Sequence, residues 1–407
     1  MTKVSICFSL LAGLTLSPEL HADDAQVLPK GRFRARLVSS YSTAQNEFSG
    51  GGEIRALGQS FSKRLDSRLL SALNPATGDA LRKLNATLPG LNEDVAVDLF
   101  TDVETEVFSN IIALEYGLTD RLSVGFLLPI VHARTTVNAE ATPDQKLESR
   151  IKAMSDADPR KAALKQVQAR LNVQTFDATL REGFNYDDGL RSWSGTGLGD
   201  LEVGGKYQYY KSPNLQATLK AGVRLPTGRV DDPNKIFDVG FGDGQMDIGA
   251  FQLVDIKFSP AWGATFEGGY TMQLPDTSSR RLQISDEIPI GPSTIAYDRK
   301  LGDYVNAELE ANYTAWRALT LSARYRFKYK MADDYTGPTG VDLSSLEKDT
   351  SEMYHASQFQ VEYTNLAAFR AGTQKIPYAV GVFYRMPFAG ENTSDSRTAG
   401  ISLKSYF

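Results

Sequence analysis

Residues 319–330 read Leu-Thr-Leu-Ser-Ala-Arg-Tyr-Arg-Phe-Lys-Tyr-Lys. The odd positions (Leu319, Leu321, Ala323, Tyr325, Phe327, Tyr329) are apolar or aromatic. The even ones (Thr320, Ser322, Arg324, Arg326, Lys328, Lys330) are polar, and the last four are cationic. A period of two is a β-strand with two unlike faces. A soluble sandwich gains nothing from a strand of this length with four cations on one face. A transmembrane barrel does, because its outer face meets lipid and its inner face meets water.

The same alternation recurs. Leu215, Ala217, Leu219, Ala221, Val223 and Leu225 oppose Gln216, Thr218, Lys220 and Arg224; Leu201, Val203, Tyr207 and Tyr209 oppose Glu202, Lys206 and Gln208. Trp262, Ala264, Phe266 and Tyr270 oppose Thr265 and Glu267, and Val305, Ala307, Leu309 and Ala311 oppose Asn306, Glu308 and Glu310. Twelve strands are expected, near 30–42, 103–117, 121–134, 199–211, 215–226, 245–257, 261–274, 302–315, 319–331, 354–365, 376–387 and 397–407. The faces of the strands near 103–117 and 245–257 are less clean. Five short turns alternate with six long loops, near 43–102, 135–198, 227–244, 275–301, 332–353 and 388–396. Short periplasmic turns alternating with long extracellular loops are the pattern of an up-and-down barrel. The expected fold is therefore all-β: a transmembrane antiparallel up-and-down β-barrel of about 12 strands (12–14) with helical extracellular loops.

Those helices are legible in the first two long loops. Ile54, Leu57, Phe61, Leu65, Leu69 and Leu73 fall at helical spacing before Asn74-Pro75, and Leu81, Leu84 and Leu88 suggest a second helix before Pro89. Leu147, Ile151 and Met154 form one further stripe; Leu164, Val167 and Leu171, after Pro159, form another. Two arrangements fit: a cap over the barrel mouth, or the 53–88 helices folded into the lumen as a plug.

Composition refines this picture. Apolar residues make up 42% of the chain and the mean hydropathy is −0.29, as alternating strands would average. No run of eighteen apolar residues exists to form a membrane-spanning helix. Lys3, the apolar run Val4–Leu16 and Leu20-His21-Ala22 read as a secretory signal, residues 1–22, cleaved after Ala22. Residues 23–407 then form one barrel domain. The single cysteine, Cys7, lies inside that signal, so disulfides and cysteine metal sites are not expected. The formal charge of −5 argues against a nucleic-acid partner.

Candidate lumen-lining charges are Arg324, Arg326, Lys328, Lys330, Glu308, Glu310, Lys220, Arg224, Glu202, Lys206, Glu267, Arg34 and Arg36. A hairpin centred on Trp316 would set Glu310 beside Ser322, Glu308 beside Arg324 and Asn306 beside Arg326. It would leave Lys328 and Lys330 without a partner and the upper lumen positive. Arg32, Arg34 and Arg36 share a face beside Lys404. These charges suit either wall-stiffening ion pairs or a selectivity ring.

Catalytic chemistry is thin. His132 and His355 are the only histidines after the signal; both sit near strand ends, without a neighbouring nucleophile or metal-ligand spacing. Asp187-Asp188 and Asp231-Asp232 read as solvated turns. Gly195–Gly199 and Gly240–Gly244 precede strands rather than helices, which excludes a nucleotide loop. No enzyme activity and no cofactor is expected.

Four segments carry a resemblance: Glu115-Tyr-Gly-Leu-Thr-Asp-Arg-Leu-Ser-Val-Gly with Leu128-Pro129, Gly197-Leu-Gly-Asp-Leu-Glu-Val-Gly-Gly-Lys-Tyr207, Leu225-Pro-Thr-Gly-Arg229, and Gly242-Asp-Gly-Gln-Met-Asp247. In this order they resemble the outer-membrane barrel family named for the meta-pathway of phenol degradation, grouped loosely with FadL-type channels. The resemblance covers about 103–407. It implies uptake of a small hydrophobic or aromatic solute across the outer membrane of a Gram-negative bacterium. The expected partners are outer-membrane lipid, lipopolysaccharide and the barrel-assembly machinery, which the terminal Phe407 would signal to. A structural or surface-interaction barrel with a filled lumen is the second reading, and an outer-membrane hydrolase the third.

Overall fold

The computed structural model describes residues 24–407 apart from 286, 287, 289, 317 and 339; the expected signal, 1–22, lies outside them. Among these residues twelve long strands follow one another around a closed barrel. They are β1 (Phe33–Ala44), β2 (Ala96–Thr119), β3 (Leu122–Pro143), β4 (Leu201–Lys211), β5 (Leu215–Leu225), β6 (Asp247–Lys257), β7 (Trp262–Gln273), β8 (Tyr304–Ala315), β9 (Leu319–Lys330), β10 (Glu352–Thr364), β11 (Tyr378–Glu391) and β12 (Arg397–Tyr406). Each pairs antiparallel with its chain neighbours, and β1 closes the ring against β12. Closure removes the free edges that lipid could not hydrogen-bond.

Faces follow the period of two. Leu219 (48% exposed), Phe266, Leu309, Leu321 and Val382 point outward, while Thr218, Glu267, Glu308 and Arg324, at positions of the opposite parity in their strands, are buried inside. The strand near 245–257 lacks a clean dyad because its inner face mixes Asp247, Leu253 and Asp255, all buried, with the half-buried Phe251.

Two strands depart from the expected length. β2 has 24 residues and β3 has 22, well beyond the about 9–11 that cross a bilayer. The alternation simply continues: Thr101, Val103, Thr105 and Val107 of β2 and Val131, Ala133, Thr135 and Val137 of β3 stay buried on one face. The hairpin thus projects from the long-loop end. Short strands Lys63–Asp66 and Trp193–Leu198 pair along it, so the glycine-rich 195–199 stretch is largely strand rather than a lead-in. Gly199-Asp200 interrupts that line before β4 begins, opposite Pro129, whose carbonyl accepts from Gly199 N at 2.9 Å.

The projecting hairpin carries the helices. They are α1 (Ser67–Leu73), α2 (Pro75–Thr87), α3 (Leu91–Asp94), α4 (Gln145–Ala153), α5 (Pro159–Arg170) and α6 (Val173–Ala178). Asp66, Asn74, Asp144, Asp158 and Asn172 each accept a backbone N–H of the first turn, and Pro75 and Pro159 occupy N1 of α2 and α5. The helix expected from Ile54 starts only after the Asp66 cap. Before it, Ile54–Ala56 is a strand, 57–61 a 3-10 turn, and Leu57 and Leu65 are buried from those pieces instead. Leu69, Leu81, Leu147, Ile151 and Leu164 close one apolar core with Val97, Val103 and Val137 of the hairpin. The helices therefore sit on the hairpin, as a cap, rather than in the lumen.

Candidate functional site

The inner wall is a ladder of ion pairs, and its register differs from the sequence expectation by two residues. Ala315 pairs with Leu319, which centres the β8–β9 turn one residue later than Trp316. Trp316 takes a left-handed φ of 51° as the chain leaves β8. Glu310 consequently faces Arg324, Glu308 faces Arg326, and Asn306 faces Lys328. Arg324 donates to Glu310, and Arg326 Nε donates to Glu308 at 2.7 Å.

The two lysines expected to lack partners have them. Lys330 is buried, and its ammonium donates to Asp333 and, at 3.0 Å, to the Thr350 carbonyl. Lys328 lies 4.0 Å over the ring of Tyr304. The expected positive upper lumen is thus not left bare.

Elsewhere on the wall Arg34 pairs with Glu115, with Lys206 at 3.8 Å on the same carboxylate; Lys220 pairs with Glu267. Arg224 bridges Glu202 at 3.3 Å and Asp247 at 2.9 Å. Arg36 stands opposite Lys404, which reaches Glu362 at 2.9 Å. Arg32 precedes β1 and is exposed.

Two features absent from the sequence reading narrow the lumen. At the short-turn end, residues 24–28 enter the barrel. Ala25 is fully buried; its N–H donates to Asp255 at 3.0 Å, and its carbonyl accepts from Gln208 Nε2 at 2.7 Å and from Thr218. Lys206 donates to the Asp24 and Gln26 carbonyls, and Leu28 N donates to Ser123 Oγ at 2.8 Å. At the long-loop end, the 227–244 loop folds inward. Val239 and Phe241 bury against Val107, Val131 and Ala133 of the inner wall. Arg229 lies between the rings of Trp193 and Phe241, at 5.0 and 4.8 Å, and grips Asp238 with both terminal nitrogens. The only sequence trace of this fold-in is the apolar pair Val239 and Phe241 inside a glycine-rich stretch.

Between these levels lies a cavity of about 250 Å³. Among the candidate residues, Arg34, Arg36, Lys206, Lys220, Arg224 and Lys328 line it, with Glu202, Glu267 and Glu308. Arg324, Arg326, Glu310 and Lys330 are instead packed into the wall, in the pairs described above. Phe251 also lines the cavity, with Lys220 Nζ 4.6 Å from its ring. The sequence reading missed it because an inward phenylalanine breaks the apolar-out rule.

The remaining candidates lie apart. Phe407 is exposed, and its backbone exchanges hydrogen bonds with Phe33 at 3.0 and 3.1 Å. His132 Nδ1 bonds Thr196 Oγ1 at 2.8 Å and His355 Nδ1 bonds Tyr325 OH at 2.7 Å, both at exposed positions. Asp188 is half-buried; burial pushes its carboxyl up to about 6, against a hydrogen bond from Ile236 N. Among the described residues no group of three or more His, Cys, Asp or Glu side chains is placed to hold a metal ion.

Residues 85–315 match the family described as "Putative MetA-pathway of phenol degradation". The COG4313 outer membrane channel from Pseudomonas putida F1 has a similar fold: TM-score 0.55 at 12% identity, over 96% of this chain and 100% of that one. The transport unit of the Escherichia coli autotransporter AIDA-I aligns over 98% of each chain at 9% identity with a TM-score of 0.40. The Ralstonia pickettii toluene transporter TbuX aligns over 93% of this chain and 90% of that one at 9% identity with a TM-score of 0.36. No curated protein sequence matches the chain.

Proposed function

Because this chain belongs to the phenol-degradation MetA-pathway family of outer-membrane barrels, we propose that it is a channel for passive uptake of small organic molecules, hydrophobic or aromatic ones. The observation that carries the reading is the cavity itself. Its wall is lined by charged residues already paired with one another, and space remains between them where a structural barrel would place filling side chains. The solute would enter beside the 227–244 loop, cross the cavity between wall ion pairs, and leave past residues 24–28. Movement of either constriction sets the rate in this scheme. Lipid and lipopolysaccharide surround the outward apolar face, and Phe407 addresses the barrel-assembly machinery during insertion. The channel carries out no bond chemistry.

The second reading is a barrel with a filled lumen whose cap binds a partner; the insertion of Ala25 and Phe241 into the two ends favours it. Liposome swelling with purified protein separates the two. A channel passes small neutral solutes at rates proportional to protein loaded. Swelling no faster than empty liposomes, for every solute tried, overturns the channel and leaves the filled barrel.

A further inference from the structure

The short-turn end of the barrel carries one sign of charge. Among the described residues, Lys30 and Arg32 precede β1, Arg121 lies in the β2–β3 turn, Lys211 and Lys257 end β4 and β6, and Arg370 and Lys375 sit in the β10–β11 connection. All seven are exposed, and none makes an ion pair among the described residues. The one acidic side chain in segments 29–33, 117–122, 211–215, 257–262 and 365–377 is Asp120, which accepts from the backbone N–H of Lys30 at 3.0 Å.

The long-loop end is built differently. There cations meet acids: Arg64 with Asp98 at 3.2 Å, Lys152 with Glu148 at 2.5 Å, Arg160 with Asp158 at 2.7 Å and Lys161 with Asp156 at 2.7 Å. A rim that only had to stay in water would mix both signs in this way. The chain as a whole carries −5, so the cationic rim is not a general basic bias.

Exposed aromatic side chains share the level of these cations. Phe258 (68% exposed) follows Lys257 directly, Trp262 opens β7, Trp316 (86% exposed) follows β8, and Phe369 precedes Arg370. Tryptophan rings collect where hydrocarbon meets headgroups. The turn Ser212-Pro213-Asn214 is short, which keeps Lys211, the last residue of β4, at that boundary. Lysine stems lie along apolar surface while their ammonium groups reach the polar layer. The cations stand on separate strand pairs around the circumference. A ring of headgroups meets all of them, whereas one face of a protein partner meets only an arc.

We propose that the short-turn rim docks on anionic phospholipid headgroups and gathers acidic lipid around the barrel in that leaflet. The exposed lysines and arginines meet phosphodiester oxygens, with Trp262 and Trp316 seated in the interface beside them. The rim stands apart from the lumen and holds whether or not a solute crosses.

The full chain is reconstituted in phosphatidylcholine vesicles with spin-labelled phosphatidylglycerol or phosphatidylcholine of equal chain length. Electron spin resonance then reads which lipid the barrel immobilises. Phosphatidylglycerol is expected to be favoured about two- to threefold at low salt, with the preference falling toward equality at about 0.5 M salt as screening shortens. Lys30→Gln, Arg121→Gln, Lys211→Gln and Lys257→Gln together should remove most of it. These side chains make no bond among the described residues, so gel mobility without heating should show a folded barrel. Should that variant fail to fold, Lys211→Gln with Lys257→Gln is read instead and should remove about half of the preference. Arg82→Gln with Lys152→Gln, at the long-loop end, should leave the preference as in the wild type. A preference that survives in the folded rim variants, or an equal loss in the long-loop variant, overturns the docking. Equal immobilisation of both lipids by the wild type also overturns it and leaves the rim to an acidic protein partner.

Discussion

The backbone N–H of Ala25 donates to the Asp255 carboxylate at 3.0 Å, inside the short-turn end of the barrel and 230 residues away along the chain. That bond, with those from Gln208 and Thr218 to the Ala25 carbonyl, ties residues 24–28 into the lumen. Ala25 is fully buried, so no larger side chain fits without withdrawing the segment. Ala25→Trp should therefore raise single-channel conductance in planar bilayers, while the unheated barrel keeps its gel mobility. Unchanged conductance would show that residues 24–28 do not narrow the path.

Leu219 and Lys220 test the two faces of β5. Leu219→Arg places a charge on the lipid face and should destabilise by roughly 2–4 kcal/mol near the midplane. Lys220→Leu acts differently: it removes the ammonium that donates to the buried Glu267 carboxylate and should cost about 1–3 kcal/mol. Adding Glu267→Gln should restore much of the second loss and none of the first, as read by urea unfolding in lipid vesicles. Equal rescue of both would mean the faces are assigned wrongly.

Arg281 ties three loops together. Its guanidinium donates to the carbonyls of Phe184, Asn185 at 2.7 Å and Pro233 at 3.1 Å, and to Asn234 Oδ1 at 2.7 Å, while lying 4.2 Å from the ring of Tyr186. Only a planar five-donor fork reaches all of these. Both Arg281→Ala and Arg281→Lys should speed protease cleavage within 184–190, with barrel strands still protected. Full protection in the lysine variant would reduce Arg281 to a simple charge.

Asp188 gives the cap a pH dependence. Its folded carboxyl titrates at about 6, against 3.8 ordinarily, because it is buried. The folded state thus holds the proton more tightly. The associated stability is fully present below about 3.8 and is lost as pH rises through about 6. Amide protection factors around 184–190 and 232–238, corrected for the intrinsic pH dependence of exchange, should be higher at pH 4 than at pH 7, and Asp188→Asn should remove much of that difference.

Lys328 and Lys330, alternate residues of β9, should part company. Lys330→Glu sets a third carboxylate beside Asp333 and the cross-strand partner Glu352, and should lower folded yield. Lys328→Glu lines the cavity and should shift the reversal potential toward cations with the barrel intact. A stable Lys330→Glu barrel would argue against the buried pair.

The strength of the sequence lay in period and spacing. Dyads such as Leu219–Lys220, and the short–long alternation of connections, determine twelve antiparallel strands, their inward and outward faces and a closed barrel. These are local properties of the chain: side chains alternate every residue, and a tight turn leaves its strands no choice of neighbour. The helical stripes through Leu69, Leu81, Leu147 and Leu164 are legible for the same reason, whereas the start of the first helix at the Asp66 cap, and not at Ile54, is not. What tertiary structure decided is long-range. A one-residue change in the centre of the turn at Trp316 moves every cross-strand pair by two, so Glu308 meets Arg326 and not Arg324. The burial of Ala25, the fold-in of Phe241 and the caging of Lys330 all join residues from separate strands or loops. No local pattern encodes those meetings, because barrel closure alone brings the partners within hydrogen-bonding distance.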